Sequence, residues 1–153
     1  DTVYVPIGMG TGACGMIMAR DLLGAETEVV GVVAANAPCI ALSVAAGKPI
    51  STNSAATFAD GMACRVPDPL ALDVISRGAA RIVTVSEDEI ADAMRAYYED
   101  THNLAEGAGA AAFAALMQER HKLAGKRVGV VLSGSNVDRE VFAEVLAGRT
   151  PKV

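Results

Sequence analysis

A chain of 153 residues, 52 % of them hydrophobic, has the size of one domain with a sizeable core, apolar enough that its sheet is covered on both faces or partly covered by a partner. Its net charge of −5 is spread along the chain without a basic run, and only 4 % of its residues are aromatic, so it lacks both the charge and the stacking platforms that nucleic acid needs. Two uncharged spans, Val3 to Ala19 and Val29 to Gly47, reach the length of a membrane helix, but glycine, proline or Asn36 interrupts each and each changes from strand to helix texture midway, which argues against a bilayer span.

In chain order, Val3 to Val5 reads as a buried strand that empties into Gly8, Gly10 and Gly12, where the backbone can turn sharply and approach a ligand with no Cβ in the way. A helix of roughly Ala13 to Leu23 follows, and its free N–H groups and positive dipole end point back at the turn, as in a cradle for an anion. Read literally, Gly10-x-Gly12-x-x-Gly15 is the dinucleotide fingerprint. That fingerprint expects an acid about 20 positions on, where this chain has Val32-Val33-Ala34-Ala35-Asn36. The bland alternative is a glycine turn that only packs a helix tightly on a sheet.

Gly24 closes the helix, Glu28 to Val33 is a β-branched strand of the kind buried on both faces, and Pro38 to Ala46 reads as a helix with Gly47 past its end. Ser51 to Pro69 is polar, loop-rich and able to line a site. Leu70 to Ser76 is expected as a short helix and Arg81 to Val85 as a third strand. Ser86 then caps a helix whose first-turn acids, Glu87, Asp88 and Glu89, are accounted for by its dipole. Glu106 to Leu116 is a helix of small residues, with Glu106 either a dipole partner or a group at the ligand. Lys126 to Leu132 is a fourth strand ending in Ser133-Gly134-Ser135-Asn136. The pattern is α/β: a layered, mostly parallel twisted sheet with helices on both faces. In such a sheet the carboxyl ends of the strands share one edge, so the Ser133 turn and the Gly8 turn are expected to share one crevice. Cys14, Cys39 and Cys64 fit neither a disulfide framework nor a metal pair and read as small core residues, with His102 and His121 isolated from them. The chain opens on Asp1-Thr2 with no leader pattern, and a cytoplasmic location is the expectation.

Five stretches then carry a family resemblance: Pro6 to Gly12, Ala59-Asp60-Gly61, Val85 to Glu89, Ala105 to Ala110, and Leu132 to Asp138. In that order they resemble the carboxyl-terminal half of the threonine/serine dehydratases, which belong to the tryptophan-synthase-β-like class of pyridoxal-phosphate enzymes. The resemblance implies that Gly8, Met9, Gly10, Thr11 and Gly12 match the four-glycine phosphate loop and the residue after it, with Met9 and Thr11 replacing two glycines. The Thr11 hydroxyl can donate to a phosphate oxygen, whereas Met9 adds bulk and implies a differently shaped site. Ser133 falls on the position whose hydroxyl bonds the pyridine nitrogen, and Gly61 and Glu106 fall on motifs near the active site. Some members, serine racemases among them, bind a divalent cation at places that here hold Asn36, Ile40 and Leu42, so no metal site is expected.

The resemblance further implies β-elimination of water from a hydroxy amino acid and release of ammonia to give a 2-oxo acid, in a homo-oligomeric enzyme. Its Schiff-base lysine lies in the amino-terminal half. The lysines here, Lys48, Lys122, Lys126 and Lys152, stand in no matching setting, so the chemistry is expected to need a partner half. Two other readings compete: a nicotinamide-dependent oxidoreductase domain and a non-catalytic phosphate-binding assembly module.

Overall fold

The computed structural model describes residues 1–152. Four strands, β1 (Thr2–Pro6), β2 (Glu28–Ala34), β3 (Arg81–Val85) and β4 (Val128–Val130), form one sheet in the order β3-β2-β1-β4, and every pairing is parallel. Six helices are described: α1 (Thr11–Leu22), α2 (Cys39–Ala46), α3 (Pro69–Gly78), α4 (Glu87–Thr101), α5 (Gly107–Glu119) and α6 (Arg139–Leu146). None of the described helices is long and apolar enough to cross a membrane.

Alternation along the strands explains the two faces. Tyr4, Val30, Val32 and Val85 join Ile90 and Met94 of α4, the alanines of α5 and Val145 of α6 in one cluster. Val5, Ile7, Val29 and Val33 join Ala13 and Ile17 of α1, Cys39 and Ile40 of α2 and Ile75 of α3 in the other. With both faces covered, β2 must be apolar at successive positions, and six of its seven residues are buried. On the first face α5 buries a run of glycine and alanine from Gly107 to Ala112, small residues that let the helix lie close to the sheet. Side-chain caps set three helix starts, with Asp68 accepting from the Ala71 amide, Ser86 and Glu89 forming a reciprocal capping box, and Glu106 capping α5. Gly47 ends α2 at φ 63°, where its N–H reaches the carbonyl of Val44.

Beyond shifts of a residue or two at other element ends, three features differ from the sequence expectation. The α1 helix starts at Thr11, two residues early, because Gly10 at φ 105° makes the turn in a single step. The fourth strand pairs only over Val128–Val130 and not from Lys126 to Leu132. Its first amides are taken elsewhere, by Leu123 for Lys126 and by the Asp1 carboxylate for Arg127, while the Val131 amide still reaches the Tyr4 carbonyl at 3.0 Å. Finally, α6 was not expected. It docks on α4 through an edge-to-face contact of Phe142 with Tyr98 at 5.5 Å and a hydrogen bond from Arg95 to the Val145 carbonyl.

Away from the carboxyl edge, a buried polar cluster ties α5 to the sheet. The Tyr4 hydroxyl donates to Glu119 at 2.6 Å, and the Arg81 guanidinium donates to the same carboxylate at 2.7 Å. The Arg81 hydrogen bond is the main reason the Glu119 carboxyl is held down to about 2, against the cost of its burial. Burial and the adjacent Glu119 push the Tyr4 phenol up to about 12.

Candidate functional site

The site forms where β1 and β4, neighbours in the sheet, release their chains on the same edge. Past Pro6 the Ile7 amide keeps one more ladder bond, to the Val32 carbonyl at 2.8 Å, and the chain then turns through Gly8, Met9 and Gly10. Gly10 is the N-cap of α1 and, as a glycine, offers no side-chain cap. The first turn of α1 holds no acid. The first amide of α1 to find a backbone acceptor is that of Cys14, on the Gly10 carbonyl at 2.9 Å. Those of Thr11, Gly12 and Ala13 have no acceptor among the described residues. This helix end therefore presents three free donors and the positive pole of its dipole to whatever lies in front of it.

What lies in front is a cleft of about 360 Å³. Gly8, Met9, Gly10, Thr11 and Gly12 line it from the β1–α1 turn, Gly61 from the turn before α3, Glu106 from the start of α5, and Ser133 from the segment after β4. All eight residues singled out in the sequence thus meet in one place, together with Pro6 and Ala108, which had not been singled out. The Gly8 turn and the Ser133 turn do share one crevice, as the parallel order requires.

Close packing sets the shape of the cleft. A Cβ on Gly8 would stand 2.1 Å from the Gly61 carbonyl oxygen, and a Cβ on Gly61 would stand 3.0 Å from that of Ala108. The glycine turn, the Asp60–Met62 segment and the start of α5 are therefore stacked against one another with no spare volume. Glu106 both caps α5 and lines the cleft. Its two oxygens accept from the Ala108 and Gly109 amides, each at 2.7 Å, and its own N–H donates to the Gly134 carbonyl at 3.1 Å. Burial pushes its carboxyl up, the two amides oppose that, and nearby Asp60 adds to the rise. The Ser133 hydroxyl makes no hydrogen bond within the described residues.

The first-turn acids of α4 do not all serve its dipole. Glu89 completes the capping box, but the Glu87 carboxylate reaches across to the Thr57 hydroxyl and the Phe58 amide, both at 3.0 Å. Nothing in the local pattern signals this contact, because its partners lie 29 and 30 positions upstream.

Asn36 and Leu42 are exposed and Ile40 is buried, and no group of three metal-binding side chains forms among the described residues. The three cysteines are free, with Cys39 and Cys64 buried and Cys14 half-buried. A more open cleft of about 510 Å³, lined by Asp1, Glu28 and Lys126, lies at the amino ends of the strands, away from the edge where parallel sheets take ligands.

The L-threonine ammonia-lyase of Thermotoga maritima is 32 % identical over 146 residues, covering 95 % of this chain and 36 % of that enzyme. The phenylserine dehydratase of Ralstonia pickettii is 36 % identical over 147 residues, covering 95 % of this chain and 45 % of that enzyme. The processed form of threonine deaminase isoform 2 from Solanum lycopersicum superposes with a TM-score of 0.89 at 27 % identity, over 96 % of this chain and 42 % of that one. The chain spans less than half the length of the relatives it resembles. Residues 1–134 match the family described as pyridoxal-phosphate dependent enzyme, and it is to this family that the chain belongs.

Proposed function

We propose that residues 1–153 form a single α/β domain, the carboxyl-terminal half of a pyridoxal-phosphate-dependent hydroxy amino acid dehydratase of the threonine/serine ammonia-lyase type. One observation carries the reading: the helix end with three unfilled amides, two of them on the cleft-lining residues Thr11 and Gly12, and the free Ser133 hydroxyl are delivered by neighbouring strands to the same cleft. The residues present suit the cofactor. A dianionic phosphate fits a helix end with free donors and no first-turn acid, and the pyridine nitrogen needs only one donor such as Ser133.

When bound, pyridoxal phosphate would supply an electron sink for the charge that develops at Cα as its proton is removed, the electron pair that then expels the β-hydroxyl. In this reading the amides of Thr11, Gly12 and Ala13 bind the phosphate, and the Thr11 hydroxyl at the first helical position adds a donor. Ser133 holds the ring nitrogen by a hydrogen bond without handing over a full proton, which keeps the sink weak and favours β-elimination over transamination. Gly8, Met9, Gly10, Gly61 and Glu106 complete the cofactor side of the cleft, with Glu106 locked in place by the α5 amides it caps. No lysine lines the cleft. The Schiff-base lysine, the general base and most contacts to the substrate carboxylate are therefore assigned to the amino-terminal half.

Met18 and Leu22 on α1, Leu23 just past it and Leu70 on α3 are 62 to 88 % exposed, apolar side chains suited to cover by that half or by a second copy in a homo-oligomer. Three free thiols agree with a reducing, cytoplasmic setting. The test uses the full-length protein that contains this chain. It is expected to release ammonia and a 2-oxo acid from serine or threonine and, after borohydride reduction, to carry a pyridoxyl group on a lysine outside these residues. Label on Lys48, Lys122, Lys126 or Lys152, or phosphate binding with neither label nor turnover, would overturn the reading.

A further inference from the structure

The acids that open α4 divide their work. Glu89 accepts from the Ser86 amide at 2.7 Å and from its hydroxyl at 2.9 Å, and the Ser86 hydroxyl accepts from the Glu89 amide, so the helix end is satisfied without Glu87. Asp88 bonds the Thr150 hydroxyl. Glu87 turns to the irregular segment that leads into the cleft. Its Oε2 accepts from the Thr57 hydroxyl and from the Phe58 amide. The Thr57 oxygen in turn accepts from the Ala59 amide at 3.1 Å, and the Met62 amide donates to the Ala59 carbonyl at 2.8 Å. Thr57 and Ala59 are buried, Phe58 between them is half-buried, and the segment has no strand partner to hold it, so the Phe58 amide finds its acceptor on a side chain. A carboxylate gives the strongest one. Two residues beyond Ala59 stands Gly61, whose carbonyl oxygen occupies the place a Gly8 Cβ would take.

We propose that Glu87 is a positioning residue for the cofactor cleft: its carboxylate fixes residues 57 to 61 and so sets how far Gly61 stands from the Gly8 to Gly12 turn. The inference rests on the reading of that cleft as the cofactor site. Glu87 touches nothing in the cleft itself. It acts through a relay of Thr57 and Phe58, Ala59, Met62 with its neighbour Gly61, and then Gly8, in which each link is a hydrogen bond, a chain neighbour or a close contact.

The experiment uses the full-length protein that contains this chain, with pyridoxal phosphate affinity measured by fluorescence titration and melting temperature measured in parallel. Glu87→Ala is expected to weaken cofactor binding about tenfold, the equivalent of one hydrogen bond to a charged group. Glu87→Gln keeps an oxygen for Phe58 and Thr57 and is expected to stay within about threefold of the parent. Ser86→Ala removes the cap of the same helix but leaves the bridge, so it should lower the melting temperature without moving the affinity. Thr57→Val deletes one of the two donors at little change in volume and should reproduce part of the loss even if Glu87→Ala does not fold. Equal affinity in Glu87→Ala and the parent, or an equal loss in Ser86→Ala, would overturn the proposal. A parent protein that binds no pyridoxal phosphate would instead sink the reading of the cleft.

Discussion

The glycines of the β1–α1 turn look alike in the sequence, yet the structure separates one that packing requires from one that it does not. An alanine Cβ at Gly8 would lie 2.1 Å from the Gly61 carbonyl oxygen and 3.2 Å from its carbon, both backbone atoms that no rotamer change can move. Relief to an ordinary contact needs more than an ångström of displacement between two segments, one of which is also wedged against Ala108. Overpacking of that kind costs about 1–3 kcal/mol, and the unyielding backbone partner puts Gly8→Ala at the upper end. At about 2–4 °C per kcal/mol for a chain of this size, the melting temperature should fall by roughly 5–10 °C. At Gly12 the same Cβ meets only a Val5 methyl at 3.8 Å, inside the first turn of α1. There alanine should raise helix stability by about 0.5–1 kcal/mol, since glycine is the poorer helix former. Thermal denaturation of both variants in the same buffer is the assay. If Gly8→Ala melts with the parent while Gly12→Ala is the one destabilised, the assignment of packing and ligand-facing glycines is wrong.

Three further outcomes follow from the same geometry. Because Glu119 is nearly buried and titrates near 2 when folded instead of near 4.5, its contribution is fully present above pH 4.5 and is lost as pH falls toward 2; it amounts to about 3 kcal/mol at most, and Glu119→Gln should flatten that acid limb in urea titrations. Glu106→Ala removes the acceptor of two α5 amides and should cost about 1–2 kcal/mol by chemical denaturation, with Glu106→Gln recovering part of it. Ser133→Ala deletes a hydroxyl that bonds nothing within the described residues, so stability should move by less than about 0.5 kcal/mol. The same variant should weaken pyridoxal phosphate binding about tenfold and shift the absorbance of the bound cofactor, and unchanged affinity would remove Ser133 from the proposed site.

What could be read from the sequence follows the range of the interactions. Strand β2 and the buried run of α5 were legible because a sheet covered on both faces leaves no polar position, and this shows in consecutive residues. Gly24 and Gly47 were legible because a positive φ at a helix end is a local demand on one residue. The meeting of Ser133 with the glycine turn was legible at one remove, since a parallel sheet forces strand ends onto a common edge whatever the strand order. The shortened β4 and the docking of α6 were not, because each is decided by a partner far away: the Asp1 carboxylate takes the Arg127 amide, and Tyr98 receives Phe142. Glu87 marks the limit most sharply. Locally it is an ideal first-turn acid; the capping-box spacing singles out Glu89, but no feature within a helical turn shows that the Glu87 carboxylate is committed to a segment that only the fold brings near. A side chain that already satisfies a local rule therefore hides its long-range role, and it is among such residues, not among the glycines that announce the site, that its remaining determinants should be sought.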